Sequence, residues 1–494
     1  MIDTAALREK VLDLAIRGKL VPQDPNDEPA SVLLERIRAQ KLQMVKEGKL
    51  KAKDIKDDTI IFKGDDNCHY EKFADGKIKN IQEEIPFDIP NTWCWCRISA
   101  IGTTNIGLTY KPTDICKDGT MVLRSSNIKN GKIDLTDLVK VNALIRDNQY
   151  IETNDILICA RNGSKSLVGK CAIYSESNEK AAFGAFMTVL KTPCYKFAYY
   201  FLNTTFFRSI LDGDDSKQIN QLTQDVLKNA LIPLPPIAEQ KRIATHLDNA
   251  YALIEEVNKY SSELDTLKNL LKSKILELAI QGKLVEQNEN DEPASVLLER
   301  IRAKKKAQLG KKYVESYIYK GDDNCYYEKI GKNEPILVED FPFDIPDKWS
   351  FIRLENALIY EQPTEYIVDS TDYNNAYPIP VLTAGKSFII GYTNEEYGIK
   401  NNLPVIIFDD FTTDSKYVDF PFKVKSSAMK ILTAEKQLIN TKFAYYIMQT
   451  IEHDHDTHKR YWISEYGKKI IGLPPLEEQF RIVDEIEYLF DLLD

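Results

Sequence analysis

Several residue patterns that identify enzymes and membrane proteins are missing from this chain of 494 residues. It has no GxxxxGK[ST] phosphate loop, no GxGxxG turn after a strand and no NPPY-type tetrapeptide of the kind that holds a flipped adenine. No apolar run approaches roughly 18 residues, and the N-terminus MIDTAALREK lacks the apolar core of a signal peptide. We therefore expect a cytoplasmic chain without a membrane span.

Paired cysteines and an excess of positive charge are also lacking. The eight cysteines show no CxxC spacing, so we expect free thiols in a reducing compartment rather than a metal site. The net charge is −10, whereas a nucleic-acid-binding domain usually carries a basic excess. However, the acidic residues concentrate in helical stretches, and basic and amide residues cluster between them. The negative net charge therefore does not exclude a local interface with nucleic acid.

What the chain does contain is one long helical stretch from Pro236 to Gln281, without Gly or Pro after its first residue. Its apolar positions from Ile243 to Leu278 recur in ten steps over 35 residues, a mean of 3.5. This is the coiled-coil period, and such a helix would be roughly 68 Å long. The stretch predicts a rod that separates two parts of the molecule and needs a partner helix.

The sequence also repeats itself. Residues Leu7 to Lys41 align without gaps to Leu271 to Lys305, with 26 of 35 positions identical. Further pairs follow in the same order: KGDDNCHYEK and KGDDNCYYEK, IPFDIPNTW and FPFDIPDKW, KFAYY twice, and LPPIAEQKRI and LPPLEEQFRI. The chain is therefore two copies of one plan.

The two copies are offset, so that the second long helix is cut. Its first part, after Leu473, ends the chain, and its last part, around Leu7 to Leu14, begins it. Pseudo-two-fold symmetry would bring the two termini close together. They would then rebuild a second rod antiparallel to the first.

Between the repeated segments lie two stretches, residues 96–231 and 352–470, which we call the first head and the second head. Both mix strand-like runs with one helix, predicted at Tyr195–Leu211 and at Thr441–Ile451. Outside KFAYY their sequences do not align. Before the first head we predict helices at Thr4–Arg17 and from Ala30 to Met44, an exposed connection at Lys46–Asp58, and an extended segment from Phe62 to Trp93, with Trp93 and Trp349 as core anchors.

This arrangement resembles the specificity (S) subunit of a type I restriction–modification enzyme. The resemblance is carried by LPPIAEQKRI and LPPLEEQFRI, by GKLVPQ and GKLVEQ, and by the PFDIP segments. Within the heads it is carried by LRSSNIKNGKI, DILICARNGSKSLVGK, KQINQLTQDVL, PVLTAGKSFIIGYTNE and PVIIFDDFTTDSKYVDFPFKVKSSAMKIL. One departure is the last helix, which is short; we expect it to be weaker or completed by the N-terminal helix.

The resemblance implies an α+β fold with two mixed α/β target-recognition domains, an antiparallel two-helix coiled coil between them and a pseudo-two-fold repeat. The expected plan is N-terminal helices at 1–58, recognition domains at 59–232 and 313–472, a central helical spacer at 233–312, and a C-terminal helix at 473–494 that pairs with the N-terminus. The implied role is a non-catalytic subunit that binds double-stranded DNA at an asymmetric bipartite target. Its helices would dock two methyltransferase subunits, through which restriction subunits join. S-adenosylmethionine, ATP and Mg would bind to those partners, and this chain would hold no cofactor.

Candidate DNA-binding residues were sought among donors that reach base edges and groups that hold phosphates. In the first head they are Arg124, Ser125 and Asn127; Arg161, Asn162, Ser164 and Lys165; and Lys217, Gln218, Asn220 and Gln221, before a helix predicted at Gln224–Lys228. In the second head they are Thr383 and Lys386; Thr412, Thr413 and Lys416; Lys423, Lys425 and Ser426; and Lys459, Arg460 and Tyr461. Each is equally compatible with an exposed solubilising role, whereas Asp409 and Asp410 are expected to be structural because bare carboxylates repel phosphate.

Three alternatives remain open. His453, His455 and His458 have a spacing that could bind a metal, although a polar loop or a DNA contact fits them as well, and we predict no metal site. The heads could bind proteins instead of DNA, which would make the chain a scaffold. The chain could also be a nuclease with a dispersed metal site, but two unlike catalytic heads would need two sets of motifs.

Overall fold

The computed structural model describes residues 2–55, 58–175, 179–212, 221–310, 313–339, 341, 343–383, 387–410, 412–435, 437–451 and 461–494. The chain divides into two compact units, Met1–Ser262 and Glu263–Asp494. The first head lies in unit 1 and the second head in unit 2.

Unit 1 is built from short helices and many short strands. Its helices are α1 (Thr4–Ile16), α2 (Ala30–Lys46), α3 (Ala52–Ile55), α4 (Ile98–Ile101), α5 (Tyr195–Leu202), α6 (Thr205–Asp212), α7 (Gln224–Asn229) and the first part of α8 (Ile237–Ile280). Its strands are β1 (Ile60–Lys63), β2 (His69–Lys72), β3 (Ile78–Asn80), β4 (Cys94–Arg97), β5 (Thr103–Ile106), β6 (Ile115–Leu123), β7 (Ile128–Lys129), β8 (Lys132–Ile133), β9 (Val139–Val141), β10 (Tyr150–Ile151), β11 (Ile156–Cys159), β12 (Cys171–Ile173), β13 (Ala181–Phe183), β14 (Met187–Lys191) and β15 (Leu231–Leu234).

Unit 2 begins with the remainder of α8. Its other helices are α9 (Ala294–Leu309), α10 (Leu354–Ala357), α11 (Thr441–Met448), α12 (Tyr461–Ser464) and α13 (Leu476–Leu493). Its strands are β16 (Ser316–Lys320), β17 (Tyr326–Ile330), β18 (Ile336–Leu337), β19 (Ser350–Arg353), β20 (Leu358–Glu361), β21 (Ile379–Leu382), β22 (Ile389–Thr393), β23 (Val405–Asp409), β24 (Ser415–Val418), β25 (Lys423–Val424), β26 (Met429–Ala434) and β27 (Ile470–Leu473).

The segment before each head forms a small sheet and not simply an extended chain. Strands β1, β2 and β3 form an antiparallel sheet in unit 1, and β16, β17 and β18 form the same sheet in unit 2. The extended segment predicted from Phe62 to Trp93 thus includes paired strands, which the prediction did not foresee. Its Pro86 and Pro90 marked only the part without ladder hydrogen bonds. Arg97 of β4 pairs with the buried Glu71 of β2 at 2.7 Å, which ties this sheet to the start of the head.

The two heads have the same strand order, which their sequences did not reveal. One sheet of the first head runs β12-β11-β14-β5, and one sheet of the second head runs β24-β23-β26-β20. Both are antiparallel throughout. A second sheet contains one parallel pair in each head, β6 with β13 and β21 with β25. It also contains an antiparallel neighbour, β9 or β22. The heads are thus two versions of one topology, and they differ in strand β10, which extends the second sheet of the first head.

The helix predicted at Tyr195–Leu211 is interrupted. Helix α5 ends at Leu202 and α6 begins at Thr205. The cause is Thr204, whose buried hydroxyl accepts a hydrogen bond from Phe207 N at 3.0 Å and so caps the start of α6. Helix α11 of the second head ends at Met448, three residues before the predicted Ile451, and carries the same KFAYY sequence as α5. Its Asn440 side chain accepts from Lys442 N and Phe443 N at its start.

The predicted anchor tryptophans are buried in matching joints. Trp93 and Trp349 are 5% and 4% exposed, and their Nε1 atoms donate to Glu239 and Glu478 at 2.9 and 3.0 Å. Each carboxylate also accepts from a glutamine, Gln23 or Gln287, at 2.6 or 2.5 Å. The joint therefore fixes the start of α8 or α13 to the tryptophan that precedes each head.

Two glycines permit these joints. Gly18 and Gly282 have φ of +65° and +66°, in the left-handed region that suits glycine at the end of a helix. A Cβ at either position would lie 2.4 or 2.5 Å from Cγ of Pro90 or Pro346. The predicted ends of α1 and α8 at these glycines are confirmed.

The long helix extends from Ile237 to Ile280, within one residue of the prediction at each end. In unit 1 it contacts α1, because Thr4 Oγ1 donates to Asn258 at 2.6 Å and Arg8 lies 3.5 Å from Glu255. In unit 2 it contacts α13, because Lys272 donates to Asp494 at 2.5 Å. The two termini belong to different units, so their meeting and the full coiled coil stay predictions.

Candidate nucleic-acid interface

Three of the predicted segments of the first head lie together at the ends of buried strands. The loop after β6 contacts the loop after β11, because Asn162 Nδ2 donates to Ser125 Oγ at 3.2 Å. The segment at Gln221 joins them through a β-bridge between Arg161 and Gln221 and through Leu222 N, which donates to Ala160 O at 2.7 Å. The first two predicted clusters of this head and Gln221, the described member of the third, therefore form one surface, which we call the first-head surface.

The side chains on the first-head surface differ in what they can offer a ligand. Arg161, Ser164, Lys165 and Gln221 are exposed, and Asn162 is half-buried. The guanidinium of Arg161 lies 5.5 Å from the ring centroid of Phe186. Charged and amide donors thus stand side by side, as recognition of base edges and phosphates requires.

The loop after β6 uses one of its predicted residues for its own structure. Asn127 is fully buried, accepts from Arg124 N at 2.9 Å, and donates to Asp134 O and Asp137 O at 2.9 and 2.8 Å. Its amide cannot reach a base edge, so the prediction of a DNA contact by Asn127 is corrected. Arg124 is half-buried and its guanidinium donates to the exposed Asp137 at 2.9 Å. A surface pair of this kind is weak and leaves Arg124 available to exchange Asp137 for phosphate.

The second head brings equivalent strand ends together. Lys425 N donates to Leu382 O at 3.2 Å, which joins the ends of β25 and β21. Asp410 N donates to Ala428 O at 3.2 Å, and Asp410 Oδ1 accepts from Trp462 N at 3.0 Å. We call this group of strand ends the second-head surface. Asp410 is buried and Asp409 caps the following turn by accepting from Thr412 N at 3.1 Å, in line with the structural role predicted for both.

One predicted contact of the second head is corrected by burial. Lys423 is 1% exposed, lies 2.6 Å from Glu395 and donates to Tyr397 O at 2.9 Å. Burial alone would raise the pKa of Glu395, but its bonds with Lys423 and with the N–H groups of Ser370 and Asp369 bring that pKa below its ordinary value. The ion pair is therefore an internal support of the head, and burial keeps the Lys423 ammonium away from DNA.

The remaining candidates of the second head are of two kinds. Lys425 and Thr412 are exposed, whereas Thr383, Thr413, Lys416 and Ser426 are half-buried. Thr413 has a φ of +59° in the tight turn between β23 and β24, and its hydroxyl donates to Thr412 O at 2.6 Å. Six candidates of the two heads lie outside the described residues: Lys217, Gln218, Asn220, Lys386, Lys459 and Arg460. For Tyr461 the structure describes the backbone only.

The sequence analysis missed Phe186, which lies at the centre of the first-head surface. Phe186 O accepts from both Ala160 N and Arg161 N, at 2.9 and 3.0 Å, and the side chain is 61% exposed. The candidates were chosen among hydrogen-bonding side chains, so no phenylalanine was included. The signal that could have found it is the Gly-Ala-Phe turn between strands.

The wider survey adds no second kind of site. Among the residues that the structure describes, no group of three or more His, Cys, Asp or Glu side chains is placed to hold a metal ion. His453, His455 and His458 lie outside them. All eight cysteines are unpaired. No helix in the described ranges is long and apolar enough to span a bilayer.

Comparison with known proteins shows what the chain is similar to. A family model described as "Type I restriction modification DNA specificity domain" matches residues 90–265. The EcoR124I/EcoR124II specificity subunit of Escherichia coli is 51% identical over 151 residues, which cover 28% of this chain and 37% of that subunit. The EcoAI specificity subunit of Escherichia coli is 28% identical over an alignment of 509 positions, which covers 90% of this chain and 74% of that subunit.

A solved structure gives independent support for the fold. A chain from a structure described as "Structural basis underlying complex assembly and conformational transition of the type I R-M system" superposes with a TM-score of 0.50 at 16% identity, covering 83% of this chain and 92% of that one. The names of the two relatives confirm the prediction of a specificity subunit rather than a catalytic one. The chain is thus similar to type I restriction–modification specificity subunits, and its residues 90–265 match the DNA specificity domain of such systems.

Proposed function

We propose that this chain gives a type I restriction–modification complex its DNA sequence specificity by binding an asymmetric, bipartite double-stranded target. The observation that carries the proposal is that one strand topology occurs twice with different side chains at the same strand ends. Two heads with the same topology can present their strand ends to DNA in the same way. Because the residues at those ends differ, each head would bind a different half-site of one duplex.

The helices support a second part of the proposal, the docking of two methyltransferase subunits. Several large apolar side chains of α8 are exposed, in unit 1 at Leu253, Val257 and Tyr260 and in unit 2 at Leu264, Leu267 and Leu270. Exposed apolar rows of this length mark protein–protein contacts. Restriction subunits would join through the methyltransferase subunits, and S-adenosylmethionine, ATP and Mg would bind to those partners.

The map of methylated adenines in a genome that expresses the whole system tests the proposal. We expect one asymmetric motif with two specified parts and an unspecified gap. Replacement of residues 99–230 by another head should change one part of the motif only. Insertion of residues into α8 near Ser261 should change the gap and neither specified part.

Two results would contradict the proposal. One is a motif in which both parts change when only residues 99–230 are exchanged, because this would exclude independent half-site recognition. The other is DNA binding that does not weaken with salt, since phosphate neutralisation releases counterions and makes affinity fall steeply with ionic strength. The second result would favour a scaffold whose heads bind proteins.

A further inference from the structure

The turn between β13 and β14 presents an aromatic ring to solvent in the middle of polar segments. Met187 N donates to Gly184 O at 2.8 Å, which closes a four-residue turn with Ala185 and Phe186 at its centre. Phe186 is 61% exposed, whereas Phe183 and Met187 on either side are buried. A single exposed apolar residue is common and needs no explanation by itself. The surroundings of this turn are what distinguish it.

Main-chain hydrogen bonds fix the turn to the start of both neighbouring loops. Gly184 N donates to Leu123 O at 2.9 Å, immediately before the loop that begins at Arg124. Phe186 O receives the two N–H groups of Ala160 and Arg161, immediately before the second loop. The backbone of Phe186 is therefore held by the ends of buried strands, and its exposed ring lies beside the two loops.

We propose that Phe186 is a specificity-determining residue of the first head, which contacts the 5-methyl group of a thymine in the first half-site. This inference rests on the proposed function. The thymine methyl is the apolar group that base pairs display in the major groove, and phenylalanine is a side chain suited to it. Arg161 stands beside the ring, so a donor that suits guanine and an apolar surface that suits thymine face the same groove.

The second head supplies a matched position without the ring. Cys159 pairs with Met187 in the first head, and Asp409 pairs with Met429 in the second. Phe186 therefore corresponds to Ala428, and the hydrogen bond from Ala160 N to Phe186 O corresponds to that from Asp410 N to Ala428 O. The turn of the second head is one residue longer, with residues 425–428 in place of 184–186. The hydrogen bond at the strand end is nevertheless the same and the side chain differs, so the thymine contact belongs to the first half-site alone.

Single thymine-to-deoxyuridine replacements test the contact, because deoxyuridine lacks only the 5-methyl group. The full-length chain, purified with its methyltransferase subunits, is titrated with duplexes that carry one replacement each across the mapped target. At one position of the first half-site, binding should weaken by about 10-fold. Phe186→Ala should weaken binding to the intact target by a similar factor, and the same replacement should then have no further effect. Phe186→Leu, which keeps an apolar side chain, should retain part of the affinity that depends on the thymine methyl group.

Controls separate this inference from the proposed function. Phe62→Ala removes another partly exposed ring, on β1 of the same unit, and should leave every affinity unchanged. The inference is overturned if Phe186→Ala binds the intact target as tightly as the unaltered chain, or if it loses affinity while its response to every deoxyuridine stays the same. If the unaltered complex does not distinguish the target from a scrambled duplex, the proposed function itself fails. Binding of Phe186→Ala to scrambled DNA should be unchanged, and a loss there would also overturn the inference.

Discussion

The two heads share a strand order but almost no sequence, whereas the joints that hold them share both. In the heads, matching strands pair through backbone hydrogen bonds, and apolar side chains of several kinds fill the same buried positions. At the strand ends the residues diverge: Ala160 and Phe186 in the first head correspond to Asp410 and Ala428 in the second. The strand order is thus maintained by backbone N–H and C=O groups, which every sequence has, while the residues at the exposed strand ends remain free to change.

The joints depend instead on particular side-chain chemistry. An indole N–H, a carboxylate and a glutamine amide meet in each joint, and substitution of any one leaves a buried polar group without its partner. Arg242 and Arg481 add paired contacts to Asp27 and Asp291, with closest distances of 2.5 and 2.6 Å. A bidentate pair of this kind does not tolerate exchange. The difference teaches that identity between the two halves marks side-chain hydrogen bonding, and that divergence occurs where backbone pairing holds the fold, including the strand ends that we propose to bind DNA.

The largest effect is expected from Trp93→Ala and Trp349→Ala. Each change removes a buried indole and the hydrogen bond to Glu239 or Glu478, and a buried Trp→Ala substitution costs about 3–5 kcal/mol of unfolding free energy. Burial already raises the pKa of both glutamates, so the loss of the indole donor adds to an existing cost. Because the joints match, the two losses should be equal within error. Hydrogen exchange of β4 with β15, and of β19 with β27, measures them separately.

Trp93→Phe and Trp349→Phe are the controls, since they keep most of the apolar ring and remove only the donor. They should cost less than the alanine variants, and again equally. A clearly unequal pair of losses would contradict the view that the two joints are energetically the same. Faster exchange in both units after one substitution would contradict the local nature of each joint.

A smaller effect should break the symmetry of the repeat at Lys41 and Lys305, which occupy equivalent positions. Lys41 donates to Asp58 at 2.5 Å and to Ser99 O at 2.7 Å, whereas Lys305 donates to Glu355 O at 2.9 Å. Burial lowers the pKa of both, opposed at Lys41 by the bond and charge of Asp58. At Lys305 burial lowers the pKa to about 8 from the ordinary 10.5.

The direction in which stability changes with pH follows from the number of protons bound to the folded and unfolded chains. Between pH 8 and 10.5 the unfolded chain holds more protons at Lys305 than the folded chain, so the stability of unit 2 should rise as the pH rises through this window. Lys305→Met should remove that rise and stabilise unit 2 at pH 7 by on the order of 1–3 kcal/mol. Lys41→Met should destabilise unit 1, because Asp58 loses its cation. Urea midpoints followed by pulse proteolysis from pH 7 to 10.5 test both, and a stabilising Lys41→Met would contradict the contrast.

Much of this comparison was accessible from the sequence. The bounds of α8 followed from its apolar period and its lack of Gly and Pro, and the joints followed from the repeated motifs around Trp93 and Trp349. These features are local, or they occur twice in the chain. Residue type alone selected Arg161, Asn162 and Gln221 as candidates, but their convergence was not predicted.

What could not be predicted depends on contacts between distant residues. The common topology of the heads lies in backbone pairing, which leaves no trace in side-chain identity. Lys423 belonged by composition to a basic stretch, but its burial is set by Glu395, far from it in sequence. Asn127 has the chemistry of a base reader, yet its carbonyl partners at Asp134 and Asp137 use its amide for the loop. The type of hydrogen-bond donor alone therefore does not distinguish a residue that contacts bases from one that stabilises the fold.

The smallest effect is expected where each terminal helix contacts α8. Arg8 lies 3.5 Å from Glu255, with both side chains largely exposed, and 4.2 Å above the ring of Tyr251. Lys272 contacts the exposed Asp494 and lies 5.2 Å from the ring centroid of Phe490. Arg8→Ala should lower the stability of unit 1 by less than about 1 kcal/mol, and part of that should disappear in high salt. Lys272→Ala should have a smaller effect still, because its ring contact is longer. Urea midpoints at two salt concentrations would contradict this order if Lys272→Ala proved the more damaging, since ion pairing and not ring contact would then hold the terminal helices.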